Sequence, residues 1–180
     1  MYKKIFLGLS LVLVGIISAI IISGSLFAKS TVELADAQKD ALLFMYQEEK
    51  LARDVYIVLG QKYPAANTFA NIQLSEQQHM DAVEKLCVKY GVDISQVDES
   101  AIGVFILTDL QNLYNTLIAQ GSVSLDEGLK VGITIEEKDL TDIVTYEEGM
   151  PDDVVKVFEN LRAGSLNHLN AFQTALLAAE

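Results

Sequence analysis

The sequence predicts an all-α protein, a bundle of four long helices preceded by an apolar N-terminal leader helix. Three observations carry that expectation. Apolar residues recur every three or four positions through four long segments, the spacing that gathers them on one face of a helix. No segment alternates apolar and polar residues as a half-buried strand would. With 2 Pro and 11 Gly in 180 residues and 51% apolar side chains, the chain has material for one core and little for loops.

Lys3 and Lys4 precede an apolar run from Ile5 to Ile22, interrupted only by Gly and Ser, and Ser23, Gly24 and Ser25 follow it. Positive charge, apolar run and small residues come in the order of an export signal. The run nearly spans a bilayer, so residues 1–28 read as a signal peptide or a signal anchor. In either case the lysines hold the N-terminus in the cytoplasm, and the domain at 34–180 is expected outside the cytoplasmic membrane, secreted or anchored.

The first long segment runs from Leu34 to Tyr63, with Leu42, Met45, Glu49, Ala52, Tyr56 and Leu59 on one face and Gly60 and Pro64 closing it. The second opens at Asn67-Thr68, read as its N-cap, carries Ile72, Glu76, His79, Val83, Leu86 and Tyr90 on its inner face, and stops at Gly91. Residues 91–123 form a long crossover with a short helix near Thr108 to Ala119. Ser124-Leu-Asp-Glu127 is a capping-box pattern opening the third segment, whose inner face reads Leu129, Ile133, Glu136, Leu140 and Ile143 up to about Tyr146. After Gly149-Met-Pro151 the fourth runs to the C-terminus with Val154, Val157, Phe158, Leu161, Ser165, His168, Phe172 and Leu176 inward.

The formal charge is −12, from 13 basic and 25 acidic residues, which argues against a nucleic-acid partner and suits cations. The single cysteine, Cys87, excludes an internal disulfide and reads as a small buried hydrophobe. There is no Gly-rich phosphate loop, no Cys-x-x-Cys pair and no hydrolytic triad.

Polar residues fall on these apolar faces: Glu49, Glu76 with His79, Glu136, and His168, both histidines of the chain among them. A carboxylate or imidazole survives in a core only if it pairs, hydrogen-bonds or ligates a metal. Glu76 and His79 have the i, i+3 spacing of the helical ligand unit in carboxylate-bridged di-iron bundles, in which two helices give one Glu each and two give Glu-x-x-His. Residue 165, three before His168, is Ser where that pattern has Glu, and Asp139, one turn after Glu136, is a substitute oxygen donor. A buried ion-pair network without metal is the alternative reading. Tyr46 and Tyr56 flank Glu49, Arg53 reads either as neutralising surplus ligand charge or as a surface cation pairing with Glu49 or with neighbours of Asp54, and Asp81, Asp139 and Asp142 are candidates for orienting a histidine.

The segments Glu48-Glu-Lys-Leu-Ala-Arg-Asp-Val-Tyr56, Ser75-Glu-Gln-Gln-His-Met-Asp-Ala-Val83, Gly132-Ile-Thr-Ile-Glu-Glu-Lys-Asp-Leu140 and Gly164-Ser-Leu-Asn-His-Leu-Asn-Ala-Phe172 resemble a ferritin-like domain, specifically domain-of-unknown-function family 2202 (DUF2202), over roughly Ala41 to Leu176. A more remote similarity to rubrerythrin-type bundles implies Glu49 rather than Glu48, and Glu136 rather than Glu137, as ligands beside Glu76, His79 and His168. The resemblance thus implies a ferritin-like four-helix bundle with a di-metal site for two iron ions, with manganese or zinc as alternatives. It implies iron handling or an oxidoreductase reaction with oxygen or peroxide. The remaining expected partners are the membrane, through an uncleaved leader, and a second copy of the chain. A non-catalytic envelope scaffold is the rival reading.

Overall fold

Helical periodicity is realised as five helices and, among the described residues, no strand; a computed structural model describes residues 33–179, so the leader at 1–28 lies outside them. The helices are α1 (Asp36–Lys62), α2 (Asn67–Tyr90), α3 (Thr108–Gly121), α4 (Leu125–Tyr146) and α5 (Asp152–Ala179). α1 packs along α2 and α4 along α5, α1 also meets α4 and α2 meets α5, and the short α3 lies against α1 and α4. No helix among the described residues is long and apolar enough to cross a membrane.

Local chemistry sets the start of α4 and the end of α2. Ser124 Oγ accepts from Glu127 N–H at 3.2 Å and starts α4, which is one half of the expected capping box; the Glu127 carboxylate accepts instead from Lys130 and Gln120. Gly91 takes the left-handed conformation at φ 66°, and Val92 N–H returns to the Cys87 carbonyl at 2.8 Å, closing α2. The start of α2 differs from expectation: the helix already includes Asn67, and Ala66 at the cap offers no side-chain acceptor. The inner face of α4 is also rotated. Gly132, Ile135, Glu136, Asp139 and Ile143 are buried, while Ile133 and Leu140 are only half-buried. Apolar character alone misplaced the face because a glycine and an aspartate occupy interior positions.

The apolar core forms two clusters. One gathers Met45, Tyr46, Val83, Cys87, Ile143, Val154, Phe158 and Leu161; the other gathers Leu51, Val55, Tyr56, Phe69, Leu129, Ile135 and Phe172. On each long helix the polar inner positions fall between them: 49 on α1, 76 and 79 on α2, 136 and 139 on α4, 165 and 168 on α5. Two dry plugs therefore enclose one polar layer, and burial there amplifies every electrostatic interaction.

α1 is the central helix, with every residue from Met45 to Tyr56 buried. Its outer face is covered by the crossover through a polar network. Gln47 Oε1 accepts from Ile106 N–H at 2.9 Å, and Lys50 Nζ donates to the Ala101 carbonyl at 2.8 Å. Asp54 receives Lys50 at 2.6 Å, Arg53 Nη2 at 2.8 Å and Gly103 N–H at 2.9 Å. Gly103 sits at φ 74°, a conformation that favours glycine, and a Cβ there would lie 2.5 Å from the Tyr114 ring, which would have to shift. Arg53 is thus neither a surface cation nor the partner of Glu49.

Candidate functional site

Each carboxylate and histidine singled out by periodicity occupies the polar layer. Glu76 on α2 stands at its centre: Oε2 is 2.8 Å from Nδ1 of His79, one turn along the same helix, and Oε1 is 2.8 Å from Nδ1 of His168 on α5. Glu49 Oε2 lies 3.2 Å from His79 Nδ1, and Glu136 Oε2 lies 3.6 Å from His168 Nδ1. The imidazoles stack at 5.4 Å between ring centres. The result is nearly symmetric, with one shared carboxylate and one flanking carboxylate per histidine.

Neighbours hold this set in place. Tyr56 donates its hydroxyl to Glu136 Oε1 at 2.6 Å, so it serves Glu136 rather than Glu49, while Tyr46 is turned away to Glu99. Ser165 donates to Asp139, and Asp81 and Asp142 do not reach the histidines: Asp81 accepts from Gln77 and Asp142 from Lys138. Gly164 lets the His79 ring lie against α5, since a Cβ at that position would fall 2.5 Å from Nε2.

Glu48, set aside by the sequence reading in favour of Glu49, is buried as well. It lines a narrow internal gap together with Glu49, Ala52, Glu76, Ile135, Glu136 and Asp139. Two consecutive glutamates reach inward because α1 is buried on all sides, a circumstance that one-sided periodicity does not register.

Two further observations bear on what the layer can hold. Seven buried side-chain polar atoms among the described residues lack a hydrogen-bond partner, and five of them are here: Glu48 Oε2, Glu49 Oε1, Glu76 Oε1, Asp139 Oδ1 and His168 Nδ1. Glu76 Oε1 and His168 Nδ1 approach closely without the alignment of a hydrogen bond. Ligating atoms gathered this closely suit a common third partner, and Glu76, His79 and His168 present such atoms all within 4.8 Å of one another.

The layer also contains more acid than base. Burial drives Glu136 up to about 8 and Glu49 up to about 7, and it lifts Asp139 well above the carboxylate range, with Glu49 and Glu48 adding repulsion. For Glu76 burial acts in the same direction, but the two imidazoles outweigh it and hold the group at about 2. Burial would lower both histidines; the adjoining carboxylates instead raise His79 to about 11 and His168 to about 9. Protons thus supply the positive charge that five clustered carboxylates require.

Fold and site together define a helical-bundle protein with a buried carboxylate–histidine layer. The chain belongs to the family described as uncharacterized protein domain DUF2202, whose model matches residues 38–178. It is 41% identical over 140 residues to the uncharacterized protein MJ0754 of Methanocaldococcus jannaschii, covering 77% of this chain and 75% of that one. The crystal structure of hypothetical protein MJ0754 from Methanococcus jannaschii DSM 2661 superposes with a TM-score of 0.78 at 39% identity, over 82% of this chain and 84% of the other.

Proposed function

We propose that the chain is an exported, ferritin-like protein that binds two divalent metal ions, iron foremost, in the layer between α1, α2, α4 and α5. The observation that carries this reading is the placement of Glu76, one oxygen against each histidine, among carboxylate oxygens that have no other partner. His79 with Glu49 would hold one ion, His168 with Glu136 the other, and Glu76 would lie between them. Asp139 would add the oxygen that residue 165 does not supply. Carboxylates with imidazoles suit iron, manganese and zinc alike, and availability decides among them.

Bound iron would supply a redox-active, Lewis-acidic centre for oxygen or peroxide. The protein's own residues do the rest. Tyr56 fixes Glu136 through a hydrogen bond and Ser165 fixes Asp139, so neither carboxylate swings freely. The flanking apolar clusters exclude water from both ends.

Metal analysis of the full-length chain, purified in mild detergent with iron or manganese present, tests the proposal. About two ions per chain are expected from the di-metal ligand pattern, with Glu76→Ala and His79→Ala each losing most of them. A wild-type chain that retains no metal, or variants that retain as much as wild type, would overturn it. Metal retention without consumption of oxygen or peroxide would discard the redox role and keep the binding role.

A further inference from the structure

Beyond the layer itself, and resting on the reading of it as a metal site, we propose that Glu48 is a transit ligand for divalent cations on a path that Lys138 guards. The two oxygens of Glu48 face different surroundings. Oε1 is 2.6 Å from Lys138 Nζ, whereas Oε2 is buried without a hydrogen-bond partner. The side chain is only 4% exposed, so its unpartnered oxygen cannot turn to bulk water.

Glu48 also joins two spaces. Inward it lines the gap shared with Glu49, Glu76, Glu136 and Asp139; outward, with Ile135 again beside it, it lines a second space bounded by Leu51, Leu113, Leu117, Thr134 and Lys138. Lys138 stands at the outer end with its side chain 36% exposed, paired to Asp142 at 20% exposure as well as to Glu48. Exposure thus falls from Lys138 through Asp142 to Glu48, and carboxyl oxygens continue into the layer.

The ammonium and an incoming cation compete for the same oxygens. A divalent ion that displaces Lys138 would first meet Asp142 and Glu48, then pass to Glu49 as Glu48 returns to the lysine. Lys138 can be displaced outward because its side chain is 36% exposed, and its Nζ, 5.0 Å from the centre of the Phe44 ring, keeps a cation–π partner beside the two carboxylates. Glu48 thus keeps one oxygen on the lysine and the other buried and unpartnered, in a residue that lines the gap shared with the candidate ligands.

Stopped-flow uptake of Co2+ by the metal-free full-length chain, followed by its absorbance, tests the path, with bound cobalt at equilibrium measured separately. Lys138→Met should speed both uptake and release, and Glu48→Gln should slow uptake, each by about tenfold as expected for removal of a steering charge, while equilibrium stoichiometry stays that of wild type. Asp142→Asn, on the exposed side, should slow uptake less. Wild-type rates in both Lys138→Met and Glu48→Gln would overturn the proposal, as would a Glu48→Gln chain that binds less cobalt at an unchanged rate. A wild-type chain that takes up no cobalt would overturn the metal-site reading and this one with it.

Discussion

Ser165 on α5 donates its hydroxyl to the Asp139 carboxylate on α4, both side chains being buried. In the proposed metal site, the oxygen donor that a second Glu-x-x-His unit would place at 165 would come instead from Asp139 on the neighbouring helix.

This exchange predicts compensation. Ser165→Glu alone adds a buried carboxylate beside Asp139 and should destabilise the metal-free protein by about 3 kcal/mol or more. Combining it with Asp139→Ser should recover much of that loss, with a coupling of about 0.5–3 kcal/mol, because residues in one network do not act additively. Denaturant titration of the four chains measures the coupling; additive losses would show that the two positions do not share one site.

Gly164→Ala probes the positioning of His79 without removing any ligand. The added Cβ, built 2.5 Å from Nε2, must push the ring or the helix aside. The expected outcome is a stability loss of about 1–3 kcal/mol together with weaker metal binding, read by thermal unfolding and by metal titration. Unaltered metal affinity would show that Gly164 does not position His79 for metal binding.

Metal uptake should release protons and tighten as pH rises. In the metal-free protein His79 and His168 are held at about 11 and about 9, so both carry a proton at neutral pH, and Glu136, held at about 8, largely does so too. A metal ligand must give up its proton, so raising the pH from 6 to 8 removes a competitor and affinity increases. Calorimetric titration in buffers of different ionisation enthalpy reads the released protons directly; heats that do not vary with buffer would contradict the prediction.

Asp54→Ala tests the clamp on the crossover. Asp54 is fully buried and receives Lys50, Arg53 and the Gly103 N–H, so its removal leaves two buried cations without their anion. A loss of about 3–5 kcal/mol is expected. In hydrogen exchange, residues 99–107 should lose protection before the four long helices do. A smaller loss, with the crossover still protected, would show that α3 packing alone holds that segment.

The four long helices and their approximate ends were legible in the chain because helical periodicity, the Ser124 cap and the Gly91 stop are local properties. Glu49, Glu76, His79, Glu136 and His168 were legible for a related reason: a polar residue on an otherwise apolar face is conspicuous one helix at a time. Glu48, Gln47, Lys50 and Asp54 were not, since periodicity assumes one buried face and α1 has none exposed along Met45–Tyr56. Residues 91–107 cover that outer face, and contacts across tens of residues leave no periodic signal. The pairing of Asp139 with Ser165 likewise depends on how α4 rotates against α5, which glycine and aspartate in the interior obscure. Helix identity follows from short-range order along the chain, whereas which oxygens meet which nitrogens follows from long-range packing between helices.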